Sequence, residues 1–328
     1  IEAVLSHANV YRLEEEPQSE AEHPQNVLNK EVTISDLVFM IGPRINAAGR
    51  LEKASDSVRL LIADKKEHAD KLASSINDLN VRRREFDNKI TEEALAMIEQ
   101  NERLRNAKST VIFNENWHKG VIGIVASRLT DSYYRPTIVL TRSNNLITGS
   151  ARSIKNFDIY DAIDNCSDLL EHFGGHKYAA GLSLKPENLE EFSRRFEEYV
   201  ANNIDKEELI PELNVDLEID FSDITPKFVR VLKQFAPFGP GNMAPVFLSR
   251  NVVDTGFSRS VGNKKHLKLT ITQRHNPTLV LAGIAFQKGD DYLRVHSKEP
   301  FSICYCIEKN FWQGKTNLQL NVKDIKFE

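Results

Sequence analysis

Between Gly49 and Gly120 the chain carries neither glycine nor proline, and this unbroken stretch limits the folds open to it. Within it "ASDSVRLLIA" has the pattern of a short helix. Then Leu72, Ile76, Leu79, Phe86, Ile90, Ala94 and Met97 recur at three- or four-residue intervals, or at seven across Arg83. This periodicity predicts one amphipathic helix ending near Gln100, on the order of 50 Å long at 1.5 Å per residue. Asp64 stands where an N-cap belongs, and Glu67 three residues on completes a capping-box pattern. A helix this long suits a strut between two domains; ordinary packing within one domain is the plainer alternative.

Downstream the pattern alternates. "STVIF", "PTIVLT", "LITGSARS" and "AAGLSL" read as strands, and "GVIGIVASRL", "DIYDAIDNCSDLL" and "LEEFSRRFEEYV" as the helices between and after them. Such alternation predicts an α/β domain from Ser109 to Asn203. The charged "NIDKEELIPE" reads as a linker. Beyond it one helical segment, "TPKFVRVLKQF", sits among six strand-like runs, the pattern of a small barrel or sandwich.

A net charge of −4 over 328 residues argues against a uniformly basic nucleic-acid binder, but not against a local basic face. From Arg250 to Arg274 the basic residues Arg250, Arg259, Lys264, Lys265, Lys268 and Arg274 meet the single acid Asp254, with Phe257 and His266 among them. A small barrel with a basic face dotted with aromatics suits single-strand binding by an OB-fold; a solvated hairpin is the alternative. Cys166, Cys304 and Cys306 form neither a CxxC pair nor an even disulfide set, which fits a reducing cytoplasm. No apolar run is long enough to span a bilayer, and no signal-peptide pattern is present.

Three stretches look built for an anion. "ENWHKGVIGIVASRL" sets His118 and Lys119 before Gly120 and Gly123 at a predicted helix start, where bare amides and a cation attract negative charge. Close helix–sheet packing through the glycines explains the same pattern. "TGSARS" offers Ser150 and Arg152 on one face of a strand, a hydroxyl beside a planar fork of donors. "EHFGGHKYAAGLSL" reads as a glycine turn, Gly174–Gly175, aiming His176 at a ligand that approaches bare backbone; a tight turn from helix to strand is the bland reading. His172 and His176 do not make a zinc pair, because the glycines break the helix they would share and no carboxylate or cysteine completes the set.

Together "GPRINAAGR" (Gly42–Arg50), "HKGVIGIVASRL" with "RPTIVL", "GSARS", "GGHKYAAG" and "PFGPGNMAPVF" (Pro237–Phe247) occur in an order that resembles the RecJ family of the DHH phosphoesterase superfamily. The resemblance covers nearly the whole chain after Val32. It implies residues 1–63 as the tail end of a DHH domain, 64–108 as a long connecting helix, 109–203 as a DHH-associated α/β domain with a mixed sheet, and 204–328 as an OB-like β-barrel. It also implies 5′-to-3′ hydrolysis of single-stranded DNA in repair and recombination by a two-metal mechanism. His176 would match the histidine that holds the substrate phosphate, and Ser150 and Arg152 the strand gripping the same backbone. Arg44, Arg50 and Arg83 are candidates for the terminal 5′-phosphate end.

The family's Mn²⁺ or Mg²⁺ ligands lie in an amino-terminal DHH domain, and no DHH triplet occurs in this sequence. The chain, which starts at Ile1, is therefore expected to be a carboxy-terminal, substrate-binding part of a cytoplasmic exonuclease, inactive alone and without a metal site of its own. Single-stranded DNA is the expected partner, with a helicase or a single-strand-binding protein as candidate protein partners and no membrane. Two alternatives are a non-catalytic single-strand-binding module and a DHH-family phosphodiesterase of oligonucleotides or cyclic dinucleotides.

Overall fold

A computed structural model describes residues 3–4, 11–13, 26–28, 34–312 and 315–327. The chain divides into two compact units, Ile1–Pro211 and Glu212–Glu328.

In the first unit two short strands, β1 (Tyr11–Leu13) and β2 (Asn26–Leu28), pair antiparallel. A π-helical turn, Leu37–Ile41, leads into α1 (Gly42–Leu51), followed by α2 (Ser55–Leu61) and the long α3 (Lys66–Gln100). The capping box expected at Asp64 does not form: Lys65 is the N-cap and makes no side-chain cap. The first half of α3 buries Ala73, Ile76 and Leu79 against Ala47, Ala48 and Leu60 of α1 and α2. Its second half buries Ile90, Ala94 and Ile98 in a different cluster with Trp117, Val121, Val125 and Leu129. Phe86, expected in the stripe, is exposed and stacks on His118. Between the two apolar patches the buried side chains are Asn80 and Asp87, so α3 joins two cores through a polar seam.

After the short α4 (Glu102–Asn106) comes the α/β layer: β3 (Thr110–Phe113), α5 (Ile122–Tyr133), β4 (Thr137–Ser143), β5 (Leu146–Arg152), α6 (Ile159–Asp164), β6 (Leu170–His176), β7 (Ala179–Leu184) and α7 (Leu189–Asn203). The sheet order is β3-β4-β5-β7-β6, with β3 and β4 parallel and the other pairs antiparallel. One face is closed by α6 and α7: Phe192, Phe196 and Val200 pack on Leu140, Ile147, Ala151, Ala180, Leu182 and Leu184. Each fully buried phenylalanine contributes roughly 1.5–3 kcal/mol there. On the other face α5 packs on β4 and β5, while the facing residues of β7 and β6 stay exposed or half-buried.

The stretch around "GGH" differs from its expected form. Gly174, Gly175 and His176 end the edge strand β6 rather than forming a turn; the turn is the next pair, Lys177–Tyr178. Ser153 N donates to Tyr178 O at 3.1 Å and Ile159 N to Lys177 O at 3.1 Å, so the tip is tied to the segment after β5. A Cβ on Gly175 would lie 2.3 Å from Ala179 O and 2.5 Å from Ala180 Cα. The bare backbone at Gly175 therefore serves the hairpin's own closure. Over Gly174 a Cβ would meet nothing within 4 Å.

The second unit holds β8 (Leu217–Glu218), α8 (Pro226–Gln234), β9 (Phe247–Asp254), β10 (Arg259–Val261), β11 (His266–Gln273), β12 (Asn276–Ala285), α9 (Tyr292–His296), β13 (Phe301–Trp312) and β14 (Lys315–Phe327). Strands β11-β12-β14-β13-β9 are successive neighbours, and a β11–β9 pairing closes them into a five-stranded barrel, with β10 and β8 appended. Closure removes the sheet edges that would otherwise invite pairing. Leu267, Leu269, Ile271, Ile303, Tyr305 and Leu320 fill the interior. The "PFGPGN" loop is pinned by Asn242, whose Nδ2 donates to Phe235 O and Pro237 O at 2.8 and 3.0 Å.

Candidate anion-binding site

The register of β5, β7 and β6 sets the site. Arg152 pairs with Ala179, which pairs with His176; Ser150 pairs with Gly181, which pairs with Gly174. Directly opposed residues of neighbouring strands share a face, so both rows lie on the side that α6 and α7 leave open. Strand spacing of about 4.8 Å puts the Arg152 and His176 backbones roughly 10 Å apart. Between them Ala179 and Gly181, one methyl and none, floor a shallow trough.

One wall of the trough rises into a cavity of about 490 Å³ lined by Gly49, Arg50, Lys119, Gly120, Ile122, Gly123, Thr148, Gly149, Ser150 and Arg152. The first turn of α5 roofs it through Ile122 and Gly123, although Ile122 N already donates to His118 O at 3.3 Å and Ile124 N to Val121 O at 2.8 Å. Gly123 in that turn would bring a Cβ within 2.9 Å of Ser150 Oγ and 3.1 Å of Arg152 Nη2. Arg152 is held by Nε to Ser127 Oγ (3.1 Å) and by Nη1 to Ser150 Oγ (3.1 Å) and Ala151 O (2.7 Å). Its Nη2 has no hydrogen-bond partner among the described residues. Burial, and next the charge of Arg50, lower the Arg152 pKa. An anion in the cavity would relieve both.

Arg50, at the end of α1, donates to Gly120 O at 3.0 Å. Gly120 admits that contact because a Cβ there would sit 2.0 Å from Arg50 O. The glycines ahead of α5 thus serve close packing and the anion pocket together. His118 is placed otherwise than expected: it stacks on Phe86 with ring centroids 5.5 Å apart, and its Nδ1 accepts from Gly120 N at 3.1 Å. Burial first, then Lys119 and Arg82, push its pKa down. A neutral acceptor shapes the turn, and Lys119 rather than His118 lines the cavity.

The other arginines divide. Arg44 Nε donates to Asn77 Oδ1 at 3.0 Å and Nη1 to Met40 O at 2.7 Å, so it braces α1 against α3 and does not line the cavity. Arg83 is nearly buried, bonded to Asn80 Oδ1 and paired with Asp87. His176 is exposed; its Nδ1 accepts from Tyr178 N at 3.3 Å, and Nε2 has no hydrogen-bond partner among the described residues.

In the second unit Lys264 and Lys265 occupy the β10–β11 turn and Lys268 lies opposite Arg259. All three are exposed and none forms an ion pair among the described residues. Phe257 is 77% exposed, and His266 packs edge-on against Phe286. Sequence reasoning missed Gly123 as the spacer over Ser150 and Arg152, and Asp87 in the seam. Ala73, Asn80, Asp87 and Ala94 fall at sevens on one helix stripe, so an amide and a carboxylate set between two alanines were a visible signal for Asp87. Among the described residues no three His, Cys, Asp or Glu side chains gather to hold a metal ion, and no helix is long and apolar enough to cross a membrane.

Residues 106–202 match the DHHA1 domain and residues 215–324 the RecJ OB domain. The single-stranded-DNA-specific exonuclease RecJ of Bacillus subtilis is 36% identical over 288 residues, covering 87% of this chain and 36% of that protein. RecJ of Haemophilus influenzae is 32% identical over 306 residues, covering 90% of this chain and 52% of that protein. The crystal structure of RecJ in complex with Mg²⁺ from Thermus thermophilus superposes with a TM-score of 0.75 at 27% identity, covering 89% of this chain and 44% of that one. The chain therefore spans about half or less of the length of the relatives it matches.

Proposed function

This chain, with a DHHA1 domain followed by a RecJ OB domain, belongs to the RecJ family, and from that premise we propose that it is the substrate-binding part of a 5′-to-3′ single-stranded-DNA exonuclease. The observation that carries the reading is the cavity of Arg50, Lys119, Ser150 and Arg152 opening onto the trough between Arg152 and His176. The cationic end suits a terminal 5′-phosphate, which carries more charge than an internal linkage. The trough, floored by Ala179 and Gly181, leaves room for sugar and backbone to pass bare main chain at Gly174.

His176 Nε2, as a donor across the trough from Arg152, would stabilise charge developing on the phosphodiester under attack. Divalent Mg²⁺ or Mn²⁺ would supply the activated water and shield the leaving oxygen. Among the described residues no cluster of His, Cys, Asp or Glu fits such a centre, and the ions are assigned in this reading to the rest of the parent enzyme. The exposed lysines and Phe257 of the barrel would hold the rest of the strand through phosphate contacts and base stacking, and repair and recombination are the proposed setting. A helicase or single-strand-binding protein is the proposed class of protein partner.

The test is fluorescence anisotropy of this chain with single-stranded oligonucleotides ending in 5′-phosphate or 5′-hydroxyl. Tighter binding of the phosphorylated end, lost in Arg152→Ala, is expected. Equal affinity for both ends in the unaltered chain would sink the reading.

A further inference from the structure

The polar seam of α3 has no part in the fold's apolar packing. Asp87, only 1% exposed, lies there as the counter-charge to two guanidinium groups from different helices. Arg128 Nη2 of α5 donates to Asp87 Oδ2 at 2.7 Å, and Arg83 Nη1 of α3 reaches the same oxygen at 3.6 Å. Both arginines have a second tether, Arg128 Nη1 to Asn88 Oδ1 at 3.2 Å and Arg83 to Asn80 Oδ1. Asp87 Oδ1 is buried with no hydrogen-bond partner among the described residues, as is Thr91 Oγ1 one helical turn away.

A buried carboxylate with half its bonding capacity unused is an expensive way to stabilise a helix pair. Burial raises the Asp87 pKa despite the charges of Arg128, Arg83, Arg50 and Arg84 around it. Arg50 also acts on Arg83 and on Arg152. The seam is joined to the cavity through α5, where Arg128 is tied to Asp87 at 2.7 Å and its neighbour Ser127 accepts from Arg152 Nε at 3.1 Å.

We propose that Asp87 is a positioning residue, which gathers Arg83 and Arg128 on one buried oxygen and so holds α5 where its Gly123 and Ser127 set Arg152 to select a terminal phosphate over an internal one. The inference rests on the reading of the cavity as a terminal-phosphate site. Without the carboxylate, Arg83 and Arg128 repel, α5 loses its tie to α3 beside Ser127, and the surface gains one unit of uncommitted positive charge. Selectivity then falls while unselective attraction to a phosphate backbone rises.

The experiment measures binding of 5′-phosphorylated and 5′-hydroxyl single-stranded oligonucleotides to Asp87→Asn and Arg128→Gln over a range of salt, with thermal melts of each. Asp87→Asn is expected to cut the affinity ratio between the two ends by about tenfold, the scale of one charge-assisted hydrogen bond. It should also steepen the salt slope for the hydroxyl-ended strand by up to about 0.7, one added phosphate contact. Arg128→Gln, which keeps the buried Asp87–Arg83 pair, should cut the ratio too, and adding Asp87→Asn to it should lower the ratio little further. A lowered melting temperature with an unchanged ratio in both variants would make Asp87 a structural ion pair only and overturn the proposal. A ratio of one in the unaltered chain would instead remove the terminal-phosphate reading beneath it, so the two failures are told apart by the wild-type measurement.

Discussion

Gly123→Ala adds one methyl group where the structure has room for none beside the site, yet ample tolerance in the fold. The new Cβ would stand 2.9 Å from Ser150 Oγ and 3.1 Å from Arg152 Nη2. To regain an ordinary separation of ~3.5 Å, the hydroxyl must retreat by roughly 0.6 Å and the nitrogen by roughly 0.4 Å. Both atoms are ends of side chains, so the backbone need not move. Alanine also suits a helix better than glycine, by at most about 1 kcal/mol. Stability should hold or rise slightly. The site should suffer, because Nη2 is the free donor of Arg152 and an anion is gripped only within tenths of an ångström. Weakening one charge-assisted hydrogen bond costs about 1.5–3 kcal/mol, or about 10- to 100-fold in affinity for a 5′-phosphorylated strand. Anisotropy titrations against the hydroxyl-ended strand, paired with thermal melts, measure both halves. Unchanged selectivity for the phosphorylated end in a stable Gly123→Ala chain would refute the role given to Ser150 and Arg152.

Gly175→Val should destabilise the first unit by about 1–3 kcal/mol, read as a lower melting temperature, because its side chain collides with Ala179 and Ala180; a melt like that of the unaltered chain would show that the β6–β7 hairpin can shift. His118 is held neutral, its pKa below the unfolded value, so the unfolded chain takes up the proton first. Its contribution to stability is then full above the unfolded-state pKa of about 6.5 and is lost as pH falls from there through the lower folded-state value. His118→Gln should therefore flatten the fall in denaturation midpoint between about pH 7 and pH 5; an identical pH profile would exclude His118 as its source.

Much of this fold could be read along the chain because the signals were local. The long stretch without glycine or proline and its three-four periodicity predicted α3, whose observed end, Gln100, is the expected one. Strand and helix alternation through β3 to α7, and the run of short strands that follows, were equally legible. Periodicity needs only near neighbours, and so do turn residues. The capping box at Asp64 failed because a four-residue pattern competes with where the whole helix must begin. "GGH" was misread as a turn because glycine is permissive of turns and strands alike, and only the partner strand decides between them.

The site's pieces were named in sequence, but their arrangement was not. Ser150, Arg152 and His176 stood out by residue type, while their common face depends on β7 lying between β5 and β6 in one register. A slip of one residue would turn His176 to the opposite face. Arg44 and Arg50 looked alike in "GPRINAAGR", yet Asn77 takes the first and the Gly120 carbonyl the second. Asp87 acquires meaning only when α5 brings Arg128 across to it. The sequence by itself determined the elements, since each is stabilised largely by interactions within a few residues. Only the tertiary structure decided which charges meet, because electrostatic partners are set by distance through space and by burial, neither of which is written in the order of residues.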